Sequence, residues 1–272
     1  MQFVFRWGKS GWGKYGAIGK ITVKNQLMYA ADLFIRTLFL LLILYVFTQL
    51  WSVTYEGSGE TVIGGYRYHE LIWYLIFSES LTMAMPKLHV TVEEEVKSGG
   101  IGYLLCRPVS YVGYRYAEFA GEFLVRLVSN LLVGGALGIF LFGLPDFGWG
   151  WLGFLPVLIG GATLNFMIRM LLALCAFWVE EIQGLVFVYD KLLFTIGGML
   201  LPLELFAEPF RTICRFLPFQ TMIYFPVKSA IQFDALRMVQ MLGIQALWIG
   251  GFGAILFVVY RKGVRRLNVN GG

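Results

Sequence analysis

The sequence predicts an all-α polytopic membrane protein, and three properties of the 272-residue chain support that prediction. Hydrophobic residues make up 58% of it and charged residues only 14%, with a mean hydropathy of +0.69, which excludes a soluble domain. Apolar stretches near the roughly 20 residues that a helix needs to cross a bilayer recur along the chain. Aromatic residues reach 17%, which suits lipid-facing and interfacial surfaces. We therefore expect six transmembrane helices, an N-terminal interfacial amphipathic helix, and re-entrant half-helices between spans five and six.

The first segment, residues 1–31, is basic and precedes a transmembrane domain over residues 32–272. Its basic residues alternate with aromatic and aliphatic ones, which predicts an amphipathic helix on the inner membrane surface. These basic residues are Arg6, Lys9, Lys14, Lys20 and Lys24. The run WGKSGWGK does not complete a phosphate-binding loop, because Phe3 stands where that loop needs a glycine five positions before Gly8. No ATP site is expected in this chain.

The six spans follow in chain order, separated by short polar connectors. They are predicted at residues 33–53, 68–86, 117–142, within 149–179, from about 184, and 236–260. Small residues that permit close helix packing occur in three of them. These residues are Gly134, Gly138, Gly160, Gly161, Gly250 and Gly251.

An even number of spans places both termini on one side of the membrane. Lys and Arg number thirteen in the N-terminal segment, the 87–116 loop and the C-terminal tail, against five on the opposite face. The positive-inside rule then predicts cytoplasmic termini and a multi-pass protein of the inner (plasma) membrane. The net charge of +5 suits anionic lipid headgroups, and because it is divided among membrane loops we expect no nucleic-acid partner.

The loop between spans two and three, residues 87–116, contains the run VTVEEEVKSGGIGYLLCRPVS. This run predicts a short acidic helix, a glycine break, an apolar strip and an Arg-Pro turn. A short charged helix joined rigidly to two spans offers a contact for a soluble partner. The candidate contact residues are Glu93, Glu94, Glu95, Lys97 and Arg107. A solvated connector without a partner is the alternative interpretation.

Six charged residues lie inside the predicted spans and away from the span ends, where each is costly and tends to face protein or water. They are Glu79, Glu122, Arg126, Arg169, Asp190 and Lys191. Their distances along the helices place them in one layer in the inner half of the membrane. We predict that Arg126 pairs with Glu79 or Glu122. We also predict a pair between Arg169 and Asp190. Such pairs either fix helix packing or line a substrate path or gate, and both roles stay open.

Residues 203–235 form short apolar pieces between prolines, too short to cross a bilayer and too apolar for a solvated loop. Non-helical backbone at membrane depth survives only where protein or a water-filled cavity satisfies it. The sequence therefore predicts a re-entrant or interfacial segment on the outer side, with a surface loop as the alternative. The prolines are Pro202, Pro209, Pro218 and Pro226.

Catalytic signals are weak throughout the chain. His69 and His89 do not form a metal pair, and no serine-centred nucleophile elbow is present. Cys106, Cys175 and Cys214 lack the spacing of metal ligands or redox pairs. We therefore expect no catalytic residue and no metal site.

Together, these features resemble the permease subunit of an ABC-2-type transporter, a type-2 ATP-binding-cassette exporter. The amphipathic N-terminal segment and the order of spans are similar to that family. The stretch GGMLLPLELFAEPFRTICRFLPFQTMIYFPVKSA is similar to the family's G-x-x-x-P pattern with its three later prolines. The stretch EEEVKSGGIGYLLCRPVS resembles the family's segment after span two. The resemblance covers nearly the whole chain.

The resemblance implies a dimer of identical or paralogous permeases with two ABC ATPase subunits. ATP and Mg²⁺ are expected on those subunits, with no cofactor bound by this chain and membrane lipids around it. A coupling helix within residues 93–107 and an outer gate at residues 203–228 are also implied, in an exporter that works by alternating access. The alternative is a membrane-embedded lipid-handling enzyme, or a channel, that uses the layer of intramembrane charges.

Overall fold

The computed structural model describes residues 12–145 and 147–270, which fold almost entirely into α-helices. The helices are α1 (Trp12–Met28), α2 (Ala30–Ser58), α3 (Tyr68–Ala84), α4 (Leu88–Lys97), α5 (Ile101–Leu105), α6 (Tyr111–Phe142), α7 (Gly150–Leu174), α8 (Gln183–Ile196), α9 (Glu208–Arg215), α10 (Tyr224–Ile231) and α11 (Ala235–Asn270). Two short strands, β1 (Val62–Ile63) and β2 (Tyr66–Arg67), pair antiparallel between α2 and α3.

Within the described residues, four helices are long and apolar enough to cross a membrane. They cover Phe34–Ser58, Tyr111–Phe142, Gly150–Phe177 and Ala235–Arg266. These coincide with the first, third, fourth and sixth predicted spans. The second and fifth predicted spans are the helices α3 and α8, of 17 and 14 residues, which are shorter than the usual length of about 20. The all-α fold is therefore confirmed, while the six-span count stays a prediction.

The predicted polar loop at residues 54–67 is mostly regular structure. α2 continues to Ser58 and ends where Gly59 takes a φ of +66°, a left-handed conformation that favours glycine. A two-residue turn at Gly64 and Gly65, with φ of +59° and +85°, then closes the β1–β2 hairpin. Positive φ at both central residues is the requirement of the tight hairpin turn whose twist matches that of the strands. The sequence analysis missed this hairpin.

α3 is the buried centre of the first half of the chain. Its residues 71–81 are all buried, in contact with α2, α6 and α10. Gly134 and Gly138 of α6 face it, and a Cβ on Gly138 would lie 2.8 Å from both Ile76 and Trp73. The predicted close packing at these two glycines is therefore present. A helix that is covered on all sides needs no lipid-facing stripe.

α1 packs along the first turns of α6 and runs parallel to it. The Tyr15 hydroxyl accepts a hydrogen bond from the backbone N–H of Ser110 at 3.0 Å. One turn later Gly19 meets Gly121, where an added Cβ would lie 2.8 Å from the Gly19 carbonyl oxygen. Lys14, Lys20 and Lys24 are exposed, whereas Arg6 and Lys9 lie outside the described residues. The sequence analysis did not predict this contact with α6.

α7 packs closely on α11 and on the segment before α10 through its glycines. A Cβ on Gly161 would lie 2.9 Å from the carbonyl oxygens of Thr221 and Met222. Gly160 abuts Gln245, whose amide donates to the carbonyl of Thr221 at 2.8 Å. The predicted pair at Gly160 and Gly161 therefore serves close packing.

The third predicted glycine pair behaves differently. No heavy atom lies within 4 Å of a Cβ added to Gly250 or Gly251, so these two glycines do not mediate helix packing among residues 12–145 and 147–270.

Neighbouring contacts fix the relative directions of the long helices. Tyr68 at the start of α3 touches Phe142 at the end of α6, with ring centroids 5.5 Å apart, so α3 and α6 are antiparallel. α7 and α11 instead run parallel, because contacts at Gly153–Met238 and Gly160–Gln245 advance together. The chain must therefore return to its starting side between α7 and α11.

Candidate functional site

One face of α4 is buried against α7 and the turn that follows α7. Leu88, His89 and Val92 lie on that face. Glu93 is also buried, with 6% exposure, and pairs with Lys97 one turn later at 2.8 Å between Oε1 and Nζ. Glu93 is therefore buried and paired within α4, and it does not present a free charge.

Glu95 ties α4 to the first turns of α6. It pairs with the buried Arg115, which also pairs with Glu118. The Tyr111 hydroxyl donates a hydrogen bond to Glu95 at 2.7 Å. Because these partners come from two successive turns of α6, we expect α4 and α6 to move as one body.

The remaining predicted contact residues are open to a partner. Glu94, Lys97 and Arg107 are exposed. Beside them lies a groove of about 510 Å³ between α4 and the start of α8, whose charged lining residues are Glu93, Glu94, Lys97 and Glu181. Carboxylates therefore outnumber cations in its lining. The sequence analysis treated the acidic run as one contact, whereas the structure divides it into two anchored residues and one exposed residue.

The glycine break and the apolar strip occupy the predicted places. Gly99 has a φ of +74° and separates α4 from α5. Ile101 of α5 is fully buried, but Tyr103 two residues later is 83% exposed. Tyr103 is thus a further exposed residue in this loop, and it was not among the predicted contact residues. Its place opposite the buried Ile101 on a short helix was the available signal.

The predicted pair between Arg169 and Asp190 is present and links α7 to α8. Arg169 Nη2 donates to Asp190 Oδ1 at 2.7 Å, and Nε donates to Asn165 Oδ1 at 3.0 Å. The guanidinium also lies over the Tyr189 ring, 5.2 Å from its centroid. Arg169 is only 7% exposed, and its contacts with Asp190, Asn165 and the Tyr189 ring compensate this buried charge.

Further polar contacts extend from this pair in both directions. Asn165 Nδ2 donates to the Tyr189 hydroxyl at 2.9 Å, which in turn lies 3.3 Å from Met222 Sδ. On the other side, Arg169 Nη1 lies 3.5 Å from His89 Nδ1 in α4. Burial, and then the Arg169 charge, lower the pKa of His89 and favour its neutral ring.

A line of side chains therefore connects α4 with the segment before α10. The sequence analysis missed Asn165 and Tyr189 in it. An amide inside an apolar span was the signal that identifies the first.

The other predicted pair is resolved in favour of Glu122. Glu122 and Arg126 are neighbours one turn apart on α6 and form an ion pair. Glu79 is fully buried, and neither of its carboxylate oxygens has a hydrogen-bond partner among the described residues. Glu79 therefore does not take part in the pairing that the sequence allowed for it.

Lys191 does not join the other intramembrane charges. Its side chain is exposed on the outside of the bundle, with Nζ 5.4 Å and 5.8 Å from the ring centroids of Phe187 and Phe194. Adjacent residues on a helix point about 100° apart. The sequence neighbours Asp190 and Lys191 consequently face different surroundings.

Each predicted proline between α8 and α11 begins a helical piece instead of breaking one. Pro202 and Pro218 immediately precede the 3-10 turns Leu203–Leu205 and Phe219–Thr221. Pro209 and Pro226 lie in the first turns of α9 and α10. Proline suits a first turn because its missing N–H is not needed there and its φ is already helical.

A buried polar cluster joins this segment to the β1–β2 hairpin. Lys228 is 5% exposed, and its Nζ lies 2.7 Å from Glu204 Oε1 and 2.8 Å from the Tyr66 hydroxyl. The Tyr224 hydroxyl donates to Glu204 at 2.6 Å. Burial raises the pKa of Glu204, but the Lys228 charge and the hydrogen bonds from Lys228 and Tyr224 outweigh it and hold that pKa below its ordinary value. The sequence analysis did not identify this cluster.

Comparison with known protein families gives one match. A family model described as "ABC-2 family transporter protein" matches residues 27–271, all but the first 26 residues and the last one. The match includes α4, the buried charges and the segment between α8 and α11. No curated protein matches the chain.

Proposed function

The chain belongs to the ABC-2 family of transporter proteins, and from that membership we propose that it is the permease subunit of an ATP-driven exporter in the inner (plasma) membrane. The family is a membrane component of ABC transporters and is not itself an ATPase. In this proposal ATP and Mg²⁺ bind to two separate ABC ATPase subunits. These lie beneath a pair of identical or paralogous permeases surrounded by membrane lipids.

Six crossings with cytoplasmic termini are part of the proposal, and the helix directions support them. α7 and α11 run parallel, so the intervening α8 segment must return across the same layer. α3 is antiparallel to α6, so the chain runs through the same layer in opposite directions along these two helices. α3 is buried by neighbouring helices over most of its length, which relaxes the length that lipid alone would require, whereas α8 is buried along one face and exposes apolar side chains on the other.

The observation that carries the proposal is the double anchoring of α4. One side is tied to α6 through Glu95 and Arg115, and another packs on α7. Glu94, Lys97 and Arg107 remain open. A helix held this way passes a displacement to two membrane helices at once, which is what an ATPase contact requires.

Transport then follows from a two-state arrangement of the helices. A partner shifts an equilibrium only by the difference in its affinity for the two states. ATP-bound ATPase subunits would favour the state in which α4 is displaced. The contacts from His89 through Arg169 and Tyr189 to Met222 lead from α4 toward residues 203–228, the proposed outer gate. Alternating access arises when both ends change together.

Purification of the tagged chain in mild detergent, followed by mass spectrometry, tests the proposal. We expect an ABC ATPase in near-equal amount to permease, with or without a second permease. The purified chain alone should hydrolyse no ATP. A chain that remains alone under several gentle conditions would contradict the permease assignment and favour an enzyme or channel that uses the buried charges.

A further inference from the structure

A cavity of about 270 Å³ lies between α9, α10 and the start of α11. Three arginines line it: Arg211 and Arg215 from α9, and Arg237 from α11. Arg211 and Arg215 are one helical turn apart and so project from the same face of α9. Arg237 approaches from a different helix. Three cations are thus gathered around a space too small for a large ligand.

The described lining contains one carboxylate, and it is already engaged. Glu204 pairs with Lys228 at 2.7 Å and accepts the Tyr224 hydroxyl at 2.6 Å. Lys228 is almost fully buried, so this pair is a fixed part of the protein. Glu204 therefore does not compensate the charges of Arg215 and Arg237.

The arginines have few partners of their own. Arg211 pairs with Glu208, but that side chain is 69% exposed, and the Arg211 Nε is buried without a hydrogen-bond partner among the described residues. Neither the Arg215 nor the Arg237 guanidinium forms an ion pair or a hydrogen bond with a described residue. Both guanidinium groups are exposed to solvent, so an anion can reach them, and it would offset the repulsion between them.

The cavity wall is fixed by a buried amide. Gln220 is 5% exposed, and its Nε2 donates to the backbone carbonyl of Arg215 at 3.1 Å. This contact closes the end of α9 against the turn before α10. The arginines are thereby presented from an ordered surface instead of a loose loop.

We propose that this cavity is a binding site for a phosphate group, carried either by a lipid headgroup or by free phosphate. Guanidinium groups bind phosphate through paired hydrogen bonds, and three of them suit an anion with several oxygens better than a two-oxygen carboxylate. Sites that enclose drug-sized ligands have roughly 300–1,000 Å³, so the smaller volume here fits one small anionic group. The site does not depend on the proposed transport function.

Two binding measurements on the purified full chain test the site and its source. The first is calorimetric titration with inorganic phosphate in dodecyl maltoside. The second is native mass spectrometry of phosphatidylglycerol retained after release from phosphatidylglycerol nanodiscs. Each is run on wild type, on Arg215→Gln/Arg237→Gln, and on Arg265→Gln/Arg266→Gln, which removes two exposed charges at the other end of α11.

We expect the cavity variant to bind about tenfold more weakly or worse, the loss that follows from about 1.4 kcal/mol. The control variant should bind like wild type. Binding of inorganic phosphate identifies a free-phosphate site, and retention of phosphatidylglycerol alone identifies a headgroup site. Equal binding of both probes by wild type and the cavity variant overturns the proposal, as does the same loss in the control.

A second variant covers the case in which the glutamine variant does not fold. Arg215→Lys/Arg237→Lys keeps both charges but removes the fork that holds two oxygens. We expect binding intermediate between wild type and none, with thermal unfolding unchanged. Wild-type affinity in this variant contradicts a guanidinium site. If the phosphate site is disproved, the family membership and the result of the ATPase co-purification are unaffected.

Discussion

Glu94 is the exposed member of an acidic run whose other two members are anchored to the fold. The proposed ATPase contact predicts that Glu94→Lys weakens ATPase association. We expect about tenfold less ATPase to co-purify at limiting concentration, equivalent to about 1.4 kcal/mol. The free energy of unfolding should change by no more than about 0.5 kcal/mol, because the Glu94 side chain has no buried partner among the described residues.

The matched control is Glu60→Lys, the same charge change at an exposed residue beyond the end of α2. It should leave ATPase association intact. Unchanged association in Glu94→Lys, or equal loss in both variants, would remove Glu94 from the contact.

Glu204 gives a prediction about pH. Its pKa is held below the ordinary value, so it contributes stability above the unfolded-state value of about 4.3. That contribution is lost as the pH falls through the lowered pKa. Near neutral pH, the free energy of unfolding of wild type should be about 2 kcal/mol larger than that of Glu204→Gln, a typical value for a hydrogen bond to a charged group. In acid, the free energies of unfolding of wild type and Glu204→Gln should become equal.

Thermal unfolding followed by tryptophan fluorescence at a series of pH values measures this difference. A gap between wild type and Glu204→Gln that stays constant from neutral pH into strong acid would show that the Lys228 pair does not stabilise the fold.

The sequence predicted the ion pairs inside the spans better than it predicted which charged side chains are buried, since Lys191 is exposed whereas Arg115 and Lys228 are buried. Arg169 and Asp190 were paired correctly from their depth alone. The sequence left both Glu79 and Glu122 open as partners of Arg126, and the pair that forms is with Glu122, its neighbour one turn away on the same helix. The Glu204–Lys228 pair could not be found this way, because its members meet through the fold of irregular backbone.

At the scale of whole elements, the contact between α1 and α6 depends on glycine. Gly121→Leu would drive a side chain into the Gly19 backbone. Overpacking of this kind costs about 1–3 kcal/mol. We expect α1 to detach, which accelerates trypsin cleavage at the exposed Lys20 and Lys24.

Gly135→Leu is the control on the same helix, since an added Cβ there meets no heavy atom of the described chain within 4 Å. Both substitutions improve helix propensity equally. Cleavage at the same rate in both variants would show that the glycine contact does not retain α1.

Regular elements were predicted where periodicity or length determines them. The acidic helix, the glycine break and the apolar strip of the 87–110 region appear in the predicted order. The β1–β2 hairpin was missed because its strands are two residues each, below the length at which alternation is visible. The short α8 was predicted as a full span because composition does not show where a helix stops.

At the scale of the whole molecule, the six-span arrangement predicts opposite sides for two exposed positions. Cys106 follows α5 and should be cytoplasmic, whereas Glu60 precedes the hairpin and should face outward. In a background without Cys175 and Cys214, a membrane-impermeant maleimide should label Glu60→Cys in intact cells. Native Cys106 should react only after lysis.

Labelling of both Glu60→Cys and Cys106 in intact cells would place both positions on the outer side and would mean that α3 does not cross the membrane. The chain would then have fewer crossings than the sequence predicts, and α4 would lie on the face opposite to that of an ATPase.

The burial of residues 71–81 of α3 has a consequence for biosynthesis. α3 leaves the ribosome before α6 and α10, the helices that cover it, and it contains Glu79 among its buried residues. Direct release into lipid would expose that carboxyl group to hydrocarbon. We therefore expect the insertion machinery to retain α3 beside α2 until α6 emerges, so that the first half of the protein enters the membrane as a three-helix unit.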